Sequence, residues 1–222
     1  MSNQEWVSEL SGLFDEHEAL FCGFLSVQAR ERLLRYYEMV LVENEQQNLT
    51  RLINPSDFFV GHILDSIELL KSNLLEYPAL DLGSGVGVPG IVCAVLNGQP
   101  WVLCDSEKKK AEFLQTVVTE LKLEDVSVTS ERVETAIKSA KIGSIVARAV
   151  GKVEKILGWV RSCSTWNSLI LLKGPGWEEE WNIAGPQVQK WKFDISGEYK
   201  YKSGPENKYR VIIKLSRVPR GT

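Results

Sequence analysis

Ala79-Leu80-Asp81-Leu82-Gly83-Ser84-Gly85-Val86-Gly87-Val88-Pro89-Gly90 is the stretch whose reading decides the fold. It reads as a short buried strand that ends in an acid and opens into a glycine-rich turn, with a helix from about Ile91 to Leu96 behind it. Glycines at alternate positions let the backbone approach a ligand, because no Cβ intervenes and a positive φ costs little. The helix N-terminus adds unpaired N–H groups and the positive end of a dipole. Such a turn suits a nucleotide-like ligand, and its neighbours must say which.

Two patterns overlap here. Gly85-x-Gly87-x-x-Gly90 matches the dinucleotide fingerprint, whose helix end receives a pyrophosphate. Asp81-x-Gly83-x-Gly85-x-Gly87 instead resembles the first motif of S-adenosylmethionine-dependent methyltransferases, where the glycines make room for methionine and ribose and no phosphate is bound. The bland reading is a turn and nothing more.

Working outward, residues 1–75 read as a helical extension and 76–222 as the main domain. Trp6, Leu10, Leu13 and Phe14 recur at helical spacing; Ser26 caps a second helix carrying Leu33, Tyr37, Val40 and Leu41. Asn54-Pro55 starts a third, with Phe58, Phe59, Ile63, Ile67 and Leu70 inward. From Tyr77 the pattern becomes strand, helix, strand. Trp101–Cys104, Val126–Thr129, 144–148 and 168–173 are short apolar runs separated by helices, the mark of a parallel sheet covered on both faces. The chain closes differently. Residues 191–201 and 209–215 are extended runs joined by a loop over 202–207, an antiparallel hairpin at one sheet edge. The expected fold is α/β and Rossmann-like: a mostly parallel sheet ending in an antiparallel hairpin, as in class I methyltransferases rather than dinucleotide enzymes.

Composition narrows the class. A 44% hydrophobic and 25% charged chain of 222 residues is ordinary for a soluble globular protein. With no apolar run long enough for a membrane span and no secretory pattern at the start, a cytoplasmic protein is expected. Cys22, Cys93, Cys104 and Cys163 stand apart without a CxxC, so no metal site is expected. The net charge of −3 is unevenly spread: residues 1–50 hold nine acids and three bases, residues 186–222 nine bases and three acids. Such asymmetry marks either a face that meets phosphate or a solvated strand surface.

Ligands of open α/β sheets bind at the carboxyl ends of the strands. Asp81 and the Gly83–Gly87 turn end the first strand there, and Asp105 ends the second, placed to accept ribose hydroxyls or to cap the next helix. Ser106 beside it is the expected cap and is counted with the cofactor set. Arg132-Val133-Glu134 follows the third strand, where an adenine ring would lie.

Here the resemblance becomes specific. Asn48-Leu49-Thr50, His62-Ile63-Leu64-Asp65-Ser66 and the glycine stretch are followed by Asp105-Ser106, Lys109-Lys110, Phe113-Leu114, Arg132-Val133-Glu134, Arg148-Ala149 and Lys173-Gly174. In this order and spacing they resemble the RsmG (GidB) family from Asn48 to Lys173. The resemblance implies methylation of N7 of one guanine in the conserved 530 loop of 16S rRNA, on free RNA or the small ribosomal subunit, with S-adenosylmethionine as donor. It carries cofactor binding onto Gly83, Val88, Val133, Glu134 and Arg148, with Asp105 added; Val88 stands where the family usually has a larger apolar residue.

Guanine N7 is a lone-pair nucleophile, so no general base is expected and alignment carries the reaction. Neither an Asn-Pro-Pro-Tyr nor a Pro-Cys motif is present. Arg148 either contacts the cofactor, hydrogen-bonds guanine O6, or pairs with Asp81 or Glu134. His62 and Asp65, three apart on one helix face, tie the helical cap to the glycine turn or position the RNA. Lys109, Lys110 and Lys173 are candidate RNA contacts, Lys108–Lys110 alternatively being a solvated run. A monomer suffices. The other functional classes to weigh are an NAD-type oxidoreductase, with His62 the available proton relay, and a non-catalytic RNA-binding assembly factor.

Overall fold

A computed structural model describes residues 2–139, 141–204 and 208–218 of the chain. Residues 205–207 of the loop expected over 202–207, and Arg220 of the basic C-terminal run, lie outside the described residues. Among the described residues seven strands form one sheet in the order β3-β2-β1-β4-β5-β7-β6. β1 (Ala79–Leu82), β2 (Trp101–Cys104), β3 (Val126–Thr129), β4 (Ile142–Arg148) and β5 (Trp166–Lys173) run parallel. β6 (Phe193–Ser203) and β7 (Lys208–Arg217) form the expected antiparallel hairpin, with β7 pairing antiparallel to β5.

Local signals set the helix starts. Ser2 and Glu5 make a reciprocal capping box on α1 (Asn3–Glu16). Ser26 Oγ accepts the Ala29 amide at 3.1 Å to start α2 (Val27–Asn44), and Asn54 Oδ1 accepts the Asp57 amide at 2.8 Å ahead of Pro55 in α3 (Pro55–Phe58). The third helix is not uniform. A wider π turn, Phe59–Leu64, separates α3 from α4 (Asp65–Lys71). Sequence periodicity does not register such a turn, because the apolar positions on either side stay buried.

The strand period of two sorts side chains onto two cores. Ala79, Val146, Ile170, Leu172 and Ile212 face α1–α4 together with α5 (Gly90–Asn97) and α6 (Lys108–Glu120). Leu80, Leu82, Ile145, Ala147, Leu169, Leu171 and Ile213 face α7 (Val133–Ser139), α8 (Val153–Val160) and α9 (Trp177–Trp191). The extended run expected from Trp191 begins instead at Phe193. Trp191 ends α9, a helix with Gly185 and Pro186 inside it, and Lys192 caps it at φ +56°. Glycine and proline are helix breakers in isolation, so packing of Trp177, Ala184 and Val188 decides this one.

One bond ties α2 to the glycine stretch at the centre of the sheet. Buried Tyr36 of α2 donates its hydroxyl to the Val86 carbonyl at 2.7 Å, inside the glycine stretch. Tyr36→Phe leaves that carbonyl without its buried donor, so stability in urea unfolding falls by about 1–3 kcal/mol.

Candidate active site

The glycine stretch is held from both sides. Asp105, at the end of β2, accepts the Gly85 amide on Oδ2 at 2.8 Å and the Glu107 amide on Oδ1 at 2.9 Å. The Gly83 and Ser84 amides donate to the Cys104 carbonyl at 2.8 and 3.1 Å. Ser106 does not cap α6: Glu107 is the N-cap residue, without a side-chain bond, and Asp105 binds the amide there.

The glycines are not equivalent. A Cβ on Gly87 would lie 2.7 Å from Ile91 and 3.0 Å from Leu114; one on Gly90 would lie 2.8 Å from the Asp81 carboxylate. These two serve packing. A Cβ on Gly85, at φ +56°, would meet the Gly83 carbonyl oxygen at 3.8 Å, an ordinary contact. Val88 is buried among the helices on the α5 side of the sheet. Asp81 is buried too; its Oδ2 accepts the Gly90 amide at 3.0 Å, and its Oδ1 has no partner among the described residues. Burial pushes its pKa up to about 7, against the Gly90 amide and the Arg148 charge. Gly87, the glycine that a dinucleotide fingerprint sets against pyrophosphate, donates its amide to the Ser84 carbonyl at 2.7 Å, and the Gly90 amide behind it is taken by the Asp81 carboxyl.

A cleft of about 260 Å³ opens where β1 and β2 end, between Gly83, Asp105, Ser106, Val133, Glu134 and three further side chains, Arg132, Val150 and Trp159. Three acids, Asp105, Glu131 and Glu134, line it beside apolar Val133, Val150 and Trp159, which gives carboxylate acceptors for ribose hydroxyls and apolar walls for an adenine ring. Gly83 at φ +69° lets Val150 close over the turn, where a Cβ would lie 2.4 Å away. Val150 and Trp159 belong to the loop and helix after β4 and carry no motif in the sequence.

A second cavity, about 400 Å³, lies beyond the ends of β4 and β5 and includes Gly61, Asp65, Arg148, Tyr201 and Arg210. Arg148 shares a strand face with Val146 and so points toward the helical extension. It pairs with Asp65, and not with Asp81 or Glu134: Nη1 donates to Asp65 Oδ2 at 3.0 Å and to the Gly61 carbonyl, and Nη2 donates to His62 Nδ1 at 2.8 Å. Because guanidinium only donates, Nδ1 accepts, and the proton sits on Nε2, 3.0 Å from Thr50 Oγ1. Burial and the Arg148 charge lower the His62 pKa to about 3. His62 is a buried, neutral brace, with both nitrogens occupied and none left to act as a relay or meet RNA; it links the extension to β4, not to the glycine turn. Asp65 Oδ2 also accepts from Arg210, and Oδ1 accepts from the Tyr201 hydroxyl at 2.9 Å. Burial raises the Asp65 pKa, opposed by both guanidiniums and the Tyr201 hydroxyl.

The lysines divide. Lys173 points to the α9 side, where its Nζ meets Glu180 at 2.9 Å and the Gly151 carbonyl at 3.0 Å, a half-buried pair rather than a free cation. Lys110 pairs with Glu107 at 2.7 Å and Lys108 with Glu112 at 3.6 Å, while Lys109 is exposed and forms no ion pair among the described residues. Tyr201 and Arg210, the partners missed in the sequence, lie more than a hundred residues from Asp65; only the alternation of Tyr199, Tyr201 and of Arg210, Ile212 along their strands hints that they share a face.

A family model described as "GidB: rRNA small subunit methyltransferase G" matches residues 29–204. Three relatives carry the description "Ribosomal RNA small subunit methyltransferase G". That of Nitrosomonas eutropha is 38% identical over 57% of this chain and 59% of its own length. That of Carboxydothermus hydrogenoformans is 33% identical over 83% of each chain, and that of Mesoplasma florum 33% identical over 78% of this chain and 76% of its own. Among solved structures, TrmK of M. capricolum with S-adenosyl-homocysteine is similar in fold at TM-score 0.53 and 13% identity, covering 70% of each chain. The METTL16 methyltransferase domain gives TM-score 0.53 at 14% identity over 86% of this chain and 81% of that one.

Two buried groups set opposite pH slopes. His62 titrates at about 3 in the fold against 6.5 ordinarily, so its contribution is complete above pH 6.5 and is lost as pH falls toward 3. His62→Gln flattens that acid limb in unfolding measured across the pH range. Asp81, at about 7 against 3.8, favours the fold while protonated, and stability drains as pH rises from 3.8 through 7. Asp81→Asn keeps an acceptor for the Gly90 amide, removes the slope, and is the more stable protein at pH 8.

Proposed function

The chain belongs to the rRNA small subunit methyltransferase G family, and from that premise we propose that it methylates N7 of a guanine in the 530 loop of 16S rRNA. The observation that carries this reading is the Asp105 cleft set beside the Arg148 cavity at the carboxyl ends of neighbouring strands. One cleft suits adenosine and the other has room for a purine.

When bound, S-adenosylmethionine supplies an electrophilic methyl group on a sulfonium. Asp105 holds the ribose with its remaining lone pairs, and Val133, Val150 and Trp159 enclose the adenine beside Glu134. Gly85 leaves room for the methionine portion. Arg148, clamped by Gly61, His62 and Asp65, forms a rigid wall of the acceptor cavity. N7 attacks through its own lone pair, so alignment of two bound partners is the main contribution, worth roughly 7–11 kcal/mol at its best. No side chain of the cavity has to remove a proton. Exposed Lys109 is a candidate contact for the RNA backbone. His62 and Lys173 are spent within the protein, which leaves them indirect roles in shaping the site.

The test is transfer of labelled methyl to small subunits from cells lacking this activity, with N7-methylguanine mapped by borohydride–aniline cleavage. One new cleavage in the 530 loop is expected, and Gly85→Asp, which puts a side chain on a left-handed backbone position and a carboxylate into the turn, abolishes it, with circular dichroism checking that the variant is folded. Label at another atom or base would keep a methyltransferase but remove this target. S-adenosylmethionine binding without transfer to subunits or free rRNA would leave a non-catalytic binding protein.

A further inference from the structure

We propose that Arg210 is a positioning residue that holds an RNA phosphate next to the acceptor guanine, at the mouth of the Arg148 cavity. The inference rests on the guanine-N7 reading and deepens it.

Arg210 stands on β7 directly opposite Tyr201 of β6, on the strand face that turns toward Asp65. Its nitrogens are used differently from those of Arg148. Arg148 spends Nη1 on the Gly61 carbonyl and Asp65 and Nη2 on His62, and its side chain is only 16% exposed. Arg210 spends Nη1 alone on Asp65, its Nε and Nη2 have no partner among the described residues, and its side chain is 35% exposed. The Asp65 carboxylate is thus shared by two guanidiniums. Lys173 on the cavity wall is matched by Glu180, so it neither adds to nor offsets the surplus. The cavity carries an excess positive charge, and its more exposed guanidinium, with Nε and Nη2 both without a partner among the described residues, is that of Arg210.

The chemistry of the acceptor chooses what those donors bind. Arginine commonly reads guanine through O6 and N7 together, but here N7 must keep its lone pair for attack. The ring also gains positive charge as the methyl arrives, so an unpaired guanidinium against the base edge works against the step. A phosphate keeps its charge throughout the reaction and matches the planar fork of the guanidinium. The shared carboxylate holds that fork in place before RNA arrives, which lowers the ordering cost of binding.

The experiment measures binding of a 16S fragment containing the 530 loop over a series of salt concentrations, with S-adenosyl-homocysteine affinity and RNA KM determined in parallel. For Arg210→Gln the slope of log affinity against log salt becomes shallower by about 0.7–0.9, the value of one phosphate contact. RNA KM rises about tenfold at moderate salt, and S-adenosyl-homocysteine affinity is unchanged. Arg210→Lys restores the slope, because charge rather than shape sets it. A purely structural Arg210 would lower the melting temperature of Arg210→Gln without changing the slope, and that result overturns the proposal. So does a folded Arg210→Gln protein with wild-type slope and KM. Wild-type protein that transfers no methyl to subunits or rRNA overturns the guanine-N7 reading and this inference together; normal wild-type transfer with an unchanged variant slope overturns this inference alone.

Discussion

One buried carboxylate joins parts of the chain that sequence keeps far apart. Asp65, at the end of the π turn, is bound by Tyr201 from β6, Arg210 from β7 and Arg148 from β4. A buried charge left without its partner costs about 3–5 kcal/mol, so the helical extension, the parallel core and the C-terminal hairpin hold one another in register through this residue. The π turn makes it possible. Its wider backbone releases the Gly61 carbonyl toward Arg148 and sets His62 and Asp65 around the same guanidinium.

The glycine stretch obeys a related economy of space. Gly87 and Gly90 exist for the packing of α5 against its neighbours, whereas Gly83 lets Val150 close over the cleft and Gly85 gives its amide to Asp105. Tyr36 holds the same stretch from the helical side and Asp105 from β2. A loop with this many fixed backbone bonds is formed before a ligand arrives, which suits a reaction whose barrier is lowered by alignment.

Part of the basic C-terminal run is structural where it is described. Lys214 pairs with Glu76 at 2.7 Å and Lys200 with Glu198 at 2.8 Å. Arg217 lies over the Trp166 and Phe193 rings and donates to the Val160, Arg161 and Cys163 carbonyls. Charge counting does not reveal the Lys214 and Arg217 contacts, since their partners come from distant elements, whereas Glu198 is two residues from Lys200 on β6. Lys190, Lys192, Lys200, Lys202 and Lys208 are exposed, and of the run's bases Arg210 alone lines the Arg148 cavity among the described residues.

Local physics was enough for much of the architecture. Ser26 and Asn54-Pro55 marked their helices, apolar runs marked the five parallel strands, and two extended runs without a helix between them marked the hairpin, because each signal lies within a few residues of what it specifies. The Asp81–Gly90 motif and Asp105 placed the turn and its carboxylate for the same reason. α9 has no counterpart among the expected elements, and packing carries it through Gly185-Pro186. The sequence by itself determined the order of elements, the glycine turn and which strand faces are apolar. Only the tertiary structure decided that Arg148 belongs to Asp65, that Ser106 caps nothing, that Val150 and Trp159 line the cleft, and that Lys173 is taken by Glu180. Those pairings depend on which strand face meets which helix across the sheet, and a linear pattern carries no term for that distance.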